Sequence, residues 1–282
     1  MAPDTKRGQM RGEFVDVGGV RLYYYAAGTR GGGDPIVLVH GFGTSSLLWR
    51  GLIPLLPSGR RIVAADLLGY GRSDRPFNSA LSAGAHADRL RGLLAELRID
   101  RACFIGHDLG ATVAHRFSRA WPALVSQLCL VDPPTDRHWA ASASVSSGAA
   151  AMFGGPLSAF ARGRIRARMI SGFINREAGA RSCARYLKPF ADAAGGVVLA
   201  RHARALRLEN FSAASAVGDS SGVVPTAIVC GALNSLSPAH RGRALAASLP
   251  GATFHQIPGT GHFAPEEAPT RLSEFLRSLL AG

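Results

Sequence analysis

Short apolar runs alternate with helix-period segments along most of this 282-residue chain, and that alternation is its strongest constraint on fold. Residues 36–40, 61–66, 102–106, 127–132 and 226–231 are dominated by apolar side chains, the pattern of strands covered on both faces. Strands of that kind need helical crossovers, because parallel neighbours cannot be joined by a tight turn. Segments 45–56, 81–97, 109–121, 239–248 and 267–280 carry the helical spacing. Residues 14–17 and 20–26 flank Gly18-Gly19, a hairpin signal, and 253–257 read as a final strand. The order predicts an α/β fold built on a mostly parallel eight-stranded sheet flanked by helices.

One stretch interrupts the rhythm. Residues 133–222 open with Pro133-Pro134, lack strand-like runs and read as helices and loops. An insertion after the carboxyl end of a strand is well placed to cover a ligand crevice, so this stretch is expected to be a helical lid after the sixth strand. The expected organisation is a tail over 1–12, a core formed by 13–132 and 223–282, and the lid over 133–222. No internal repeat is evident.

Hydrophobic residues make up 47% of the chain, which excludes an intrinsically disordered polymer. No apolar run reaches the ~18–20 residues of a membrane span, and the polar, basic start does not resemble a secretory signal. Lys and Arg exceed Asp and Glu by 32 − 19 = 13. Only Lys6 and Lys188 are lysines, so the excess is arginine spread along the chain, and no nucleic-acid partner is expected. The densest group, Arg162, Arg164, Arg166 and Arg168, would draw an anionic substrate through its field. Cys103, Cys129 and Cys230 lie in apolar runs, where thiols act as small hydrophobes. The expectation is a reduced, cytoplasmic protein.

The chemistry concentrates at Gly106-His107-Asp108-Leu109-Gly110, which follows a strand and opens a helix. Small residues either side of the middle position let the chain reverse sharply and push one side chain out over the sheet edge. That side chain is an aspartate. With a pKa near ~3.9 it is ionised at neutral pH without a base. A carboxylate attacks a tetrahedral carbon that carries a leaving group, forming an alkyl ester of the protein. Water must then attack the carbonyl of Asp108 itself. The pattern favours cleavage of carbon–halogen or epoxide carbon–oxygen bonds over ordinary ester hydrolysis.

The partners follow in order. His40-Gly41-Phe42-Gly43 comes after a strand and places the Phe42 N–H, with that of Leu109, as an oxyanion hole. Gly259-Thr260-Gly261-His262-Phe263 puts His262 on a flexed loop before the last helix, as general base toward water. Its orienting acid is expected at Asp132, which ends the sixth strand; Asp136 is nearby. The usual acid position after the seventh strand holds Asn234, which carries no charge and would orient the ring only. Asp66-Leu67-Leu68-Gly69-Tyr70-Gly71-Arg72-Ser73-Asp74 reads as a structural loop.

With the motifs HGFG, DLLGYGRSD, GHDLG and GTGHF in this order, from about Phe14 to Leu280, the chain resembles the α/β-hydrolase superfamily. Its aspartate resembles the epoxide hydrolase and dehalogenase branch, and an acid ending the sixth strand is similar to that of haloacetate and some haloalkane dehalogenases. Departures bear on substrate. Haloacetate dehalogenases carry arginines where this chain has Leu109 and Thr112. Haloalkane dehalogenases have a halide-binding Asn and Trp where Phe42 and Leu109 stand. Epoxide hydrolases keep HGF but have Pro and Trp at Gly43 and Leu109. The resemblance also implies lid tyrosines that protonate the opening epoxide. Here Tyr186 is the candidate, Phe211 occupies the second position, and His138 or Trp139 would assist.

Epoxide opening is therefore the first reading, on a small or medium organic epoxide. A hydrolytic dehalogenase is the alternative. A lyase or cyclase using Asp108 as a base, or a non-catalytic ligand-binding member of the fold, follows. The expected partner is a small molecule. Neither cofactor nor metal is implied, because no dinucleotide fingerprint follows a strand and His and Cys lack zinc spacing.

Overall fold

Apolar runs with no polar alternation can only be satisfied in the middle of a layered structure, and three of them are wholly buried. β3 (Ile36–Val39), β4 (Ile62–Ala65) and β5 (Ala102–His107) contain only buried residues, and β7 (Thr226–Gly231) is buried after its first residue. The computed structural model describes residues 11–29, 31–135, 156–206 and 224–281. With β1 (Arg11–Val17), β2 (Val20–Ala27), β6 (Val125–Val131) and β8 (Thr253–Ile257), these strands form one eight-stranded sheet in the order β1-β2-β4-β3-β5-β6-β7-β8. β1 pairs antiparallel with β2, and β2 with β4. All pairs from β4 through β8 are parallel.

Helices α1 (Ala83–Glu96), α2 (Leu109–Ala120), α6 (Ala239–Ser248), α7 (Ala264–Glu267) and α8 (Pro269–Ala281) surround the sheet. α2 packs on β5 and β6, and α1 packs on α2. Ser82 starts α1 by accepting the Ala85 N–H, which satisfies one of the amides left over at a helix start.

Two sequence expectations differ from the structure. Residues 45–56 form two 3₁₀ turns, Ser46–Trp49 and Ile53–Leu55, instead of one helix. Pro54 cannot donate within a helix interior, and Ser45 caps the first turn only. The first strand also begins at Arg11, inside the stretch expected to be a tail. Gly12 pairs with Tyr25, and a Cβ there would lie 1.8 Å from the Tyr23 hydroxyl oxygen, so glycine leaves room for the end of the Tyr23 side chain beside β1.

Between β6 and β7 the described residues form three α-helices: α3 (Pro156–Ser171), α4 (Arg176–Leu187) and α5 (Ala193–Ala205). Asn175 and Asp192 cap α4 and α5. This helical segment sits on the loops that follow β3, β4 and β8. Gly172 O accepts the His262 N–H at 2.8 Å, Phe173 stacks on Phe263 at 4.1 Å, and Tyr70 lies 4.0 Å from the His202 ring. Asp136, His138, Trp139 and Phe211 fall outside the described residues.

The chain passes from β3 to β4 on one side and from β4 back across to β5 on the other, which creates a switch point between β3 and β5. In open α/β sheets the crevice beyond such strand ends is where ligands bind. Asp108 follows β5 and Phe42 follows β3, so both sit at this crevice.

Candidate active site

Asp108 stands between β5 and α2 at φ 52°, ψ −118°. Non-glycine residues seldom take positive φ, and the strain persists only where the surroundings enforce it. The flanking glycines provide that enforcement through close approach. A Cβ on Gly106 would lie 2.3 Å from Gly110 O, and one on Gly110 would lie 2.1 Å from Val39 O. Gly41 plays the same part across the crevice. Its missing Cβ would come within 2.7 Å of His107 Nδ1 and 3.1 Å of Asp108 Oδ2.

The Asp108 side chain is 1% exposed. The Phe42 N–H donates to its Oδ2 at 3.0 Å, and His262 Nε2 lies 3.5 Å from its Oδ1. The two carboxylate oxygens therefore face different partners. Leu109 is the first residue of α2, where a helix amide has no intrahelical acceptor.

His262 is wholly buried. Its Nδ1 meets Asn234 Nδ2 at 3.0 Å, and the same Asn234 nitrogen donates to Asp132 Oδ1 at 2.7 Å. Asp132 Oδ1 also accepts the Gly231 N–H at 2.9 Å. Asp132 and Asn234, read from sequence as rivals, thus occupy one network in which the amide lies between the carboxylate and the ring. Asp132 Oδ2 has no hydrogen-bond partner among the described residues. Ligand-type atoms of His107, Asp132 and His262 lie within 4.8 Å of one another. The Asn234 amide already donates to two of these residues, so the trio reads as a hydrogen-bond network.

Burial pushes the Asp132 carboxyl up to about 7, against the His262, Gly231 and Asn234 interactions that favour its charged form. In an unfolded chain it would titrate near ~3.9. The folded state thus holds this proton more tightly, and the associated stability, complete below about pH 4, is lost as pH rises to about 7. Asp132→Asn removes the titration. Relative to the unsubstituted protein it is expected to gain on the order of 3–4 kcal/mol between about pH 4 and pH 8. Urea unfolding of both proteins across that range checks this; a pH-independent difference would show that Asp132 ionises in the fold as it does in water.

Four further buried groups, His107, Tyr70, His86 and His202, escaped the sequence reading. His107 Nε2 donates to the His262 carbonyl at 2.8 Å and so fixes the loop that carries His262. Burial pushes the His107 ring down to about 3, keeping it neutral. Tyr70, inside the loop read as structural, is wholly buried with a hydroxyl that has no partner among the described residues. Burial first, and the Asp108 charge second, push its hydroxyl well above the usual range. Around it stand His40 at 5.2 Å, Phe42 at 6.3 Å and His202 at 4.0 Å, with His86 stacked on His202 at 5.9 Å. Burial keeps His86 and His202 neutral by lowering both. A Cβ on Gly69 would lie 2.2 Å from His202 Nε2, so glycine there admits the α5 ring. No local motif signals that juxtaposition, because His202 is far away in sequence.

The rest of the loop is architectural. Asp66 accepts the Ser46 N–H at 2.6 Å and the Arg72 N–H at 2.8 Å, and Ser73 Oγ donates to Asp66 O at 2.7 Å.

Tyr186, on α4, is buried with its hydroxyl on Glu266. Arg50 donates to that hydroxyl at 3.2 Å and to Glu266 Oε1 at 2.6 Å, and Ser182 also bonds Glu266. The group fastens the helical segment to the core. Of the four arginines at 162–168, Arg162 donates to Phe190 O and Ala191 O at 3.0 and 2.7 Å, and Arg164 lies over the Phe160 ring at 5.9 Å. All four cysteines are buried and free. Among the described residues no helix is long and apolar enough to cross a membrane.

A family model described as alpha/beta hydrolase fold matches residues 34–269. An uncharacterized protein of Mycobacterium tuberculosis is 28% identical across 95% of this chain and 80% of its own length. The soluble epoxide hydrolase of Corynebacterium sp. (strain C12) is 35% identical over 116 residues, 41% of this chain and 39% of that protein. Among solved structures, Cfl2 from Burkholderia cenocepacia is 28% identical with a TM-score of 0.78, covering 98% of both chains.

Proposed function

This chain belongs to the alpha/beta hydrolase fold family, and from that premise we propose that it hydrolyses a small or medium organic epoxide through an alkyl ester formed on Asp108. One observation carries the reading. The elbow presents a carboxylate, with Oδ2 on the Phe42 N–H at 3.0 Å and Oδ1 3.5 Å from His262 Nε2. A carboxylate needs no deprotonation before it attacks carbon. The local identity to a soluble epoxide hydrolase supports the same choice.

The steps follow from the two oxygens. Asp108 Oδ1 attacks a ring carbon, the carbon–oxygen bond breaks, and its electron pair moves to the epoxide oxygen, which takes a proton. Oδ2 stays on the Phe42 amide and becomes the ester carbonyl oxygen. Water, giving its proton to His262, then attacks that carbonyl carbon. The tetrahedral oxyanion develops on Oδ2 against the Phe42 and Leu109 amides. Its collapse expels the product oxygen, which takes the proton held by His262 and leaves as a diol, and the new carboxyl passes its proton back to the group that protonated the ring, restoring the carboxylate. Residues 133–222 are the lid in this reading, and water exclusion beneath it strengthens each of these interactions.

The proton for the opening ring comes from Tyr70 in this scheme, because the Tyr186 hydroxyl is already bonded to Glu266 and Arg50. The charge on Asp108 is one cause of the weak acidity of Tyr70. Ester formation neutralises that charge, so the hydroxyl becomes a better donor as the alkoxide develops. Tyr70→Phe is expected to slow Asp108 alkylation by an epoxide about 10²-fold or more, and to leave alkylation by butyl bromide little changed, since bromide departs without a proton. Equal effects on both reagents would assign Tyr70 to packing.

The deciding experiment is intact-protein mass of His262→Gln after exposure to styrene oxide, cyclohexene oxide and butyl bromide. A gain equal to one whole epoxide, mapped to Asp108, is the expected result. A gain equal to butyl bromide less hydrogen bromide, with none from the epoxides, would replace the reading with dehalogenation. No adduct on the folded variant would overturn the nucleophile itself.

A further inference from the structure

The amide of Asn234 has its orientation set by the backbone. Its Oδ1 accepts the N–H groups of Leu236 and Ser237, each at 2.9 Å. Rotating the amide by half a turn would set its NH₂ against two fixed donors and leave both buried amides unpaired. Nδ2 therefore faces inward. Its two hydrogens go to Asp132 Oδ1 at 2.7 Å and His262 Nδ1 at 3.0 Å. An amide nitrogen only donates, so His262 Nδ1 must accept. A neutral imidazole carries one proton, which is then on Nε2, the nitrogen 3.5 Å from Asp108 Oδ1.

That arrangement suits the first half of the reaction and obstructs the second. Activating water at Nε2 requires a lone pair there, and the imidazolium that results requires an acceptor at Nδ1. Asn234 offers a donor at Nδ1. The available acceptor is Asp132 Oδ2, which has no partner among the described residues and belongs to a carboxylate with an atom within 4.8 Å of a His262 ring nitrogen.

We propose that Asn234 is a positioning residue that holds His262 in the Nε2–H tautomer, so that the ester on Asp108 accumulates during turnover and is hydrolysed only when the ring exchanges Asn234 for Asp132 Oδ2. The accumulation rests on Asp108 being the nucleophile; the tautomer does not. The slow step is then a proton relocation on His262 coupled to a small movement of the ring or of Asp132. The Nε2 proton passes to water and water delivers one to Nδ1, whose N–H then hydrogen-bonds to Asp132 Oδ2, so Nε2 becomes free to take the proton of the attacking water.

Two measurements test this. Long-range proton–nitrogen correlation NMR, with His262 assigned by its absence in His262→Gln, reads the tautomer without substrate. A proton on Nε2 and a bare Nδ1 are expected. The exchanged pair Asp132→Asn with Asn234→Asp keeps the charge of the site and places a carboxylate against Nδ1. It is expected to move the proton to Nδ1, and Asn234→Asp alone serves if the pair fails to fold. A protonated Nδ1 in the unsubstituted protein overturns the proposal.

The second measurement quenches the unsubstituted protein during turnover of whichever of styrene oxide, cyclohexene oxide or butyl bromide alkylates His262→Gln, and records intact mass. Most of the protein is expected as the Asp108 adduct, with the exchanged pair lowering that fraction at least tenfold. An adduct on His262→Gln with almost none on the unsubstituted protein overturns slow hydrolysis while sparing the nucleophile. No adduct on any variant defeats the nucleophile and with it the accumulation, and the NMR result still decides the tautomer.

Discussion

Asp108→Asn is expected to reduce turnover by on the order of 10⁴–10⁶-fold, the scale seen when a covalent nucleophile is removed, while leaving the fold intact. The substitution keeps the shape of the side chain. Its Oδ can still accept the Phe42 N–H that now reaches Asp108 Oδ2 at 3.0 Å. What disappears is the charge that lets an oxygen attack carbon. The measurement is turnover together with thermal unfolding and intact mass after exposure to the same epoxides and butyl bromide. Loss of activity with an unchanged melting temperature and no adduct is the expected combination. Substantial turnover by Asp108→Asn would move the chemistry to another residue and remove the ester from the mechanism.

The second large effect concerns stability. Gly106→Ala is expected to cost about 3 kcal/mol, at the upper end of overpacking penalties. The added methyl would lie 2.3 Å from Gly110 O and 2.7 Å from Ala111 N. Both are backbone atoms of the elbow, so no side-chain rotation relieves the clash. Relief would require α2 to withdraw from β5 and would move Asp108 away from Phe42. Gly163→Ala is the matched control. Gly163 lies inside α3, and a Cβ there meets nothing within 4 Å. That substitution is expected to stabilise by about 0.5–1 kcal/mol through helix propensity alone. Urea unfolding of both variants separates the cases. If Gly106→Ala unfolds within about 1 kcal/mol of the unsubstituted protein, the elbow is looser than its contacts require.

How much of the site could be read from sequence depends on how local its cause is. Asp108 was legible because the elbow is a short-range object: a strand, two small residues at fixed spacing and a helix start. His262 was legible from its glycine-flexed loop before the last helix. The 3₁₀ turns over 45–56 were missed because the apolar spacing there mimics a helix, and Pro54 acts only once the chain tries to continue one. Tyr70 was hidden in a loop whose other members, Asp66 and Ser73, are architectural. Its environment comes from His86 on α1 and His202 on α5, which share no pattern with it. Tyr186 had the right residue type in the right segment, but its bond to Glu266 depends on α4 docking beside α7.

By itself the sequence determined the α/β alternation, the place of the elbow and the presence of a carboxylate on it. Each of these is written in neighbouring residues and enforced by backbone sterics and by the burial of apolar runs. The tertiary structure alone decided what surrounds that carboxylate. It set the Phe42 amide on one oxygen and the His262 ring on the other, brought Tyr70 between two histidines, and turned the Asn234 amide so that it donates to both Asp132 and His262. The direction of a hydrogen bond depends on where every competing donor lies, and the donors that orient Asn234 are the backbone amides of Leu236 and Ser237. Those amides take their positions only when the loop after β7 folds against the end of β6.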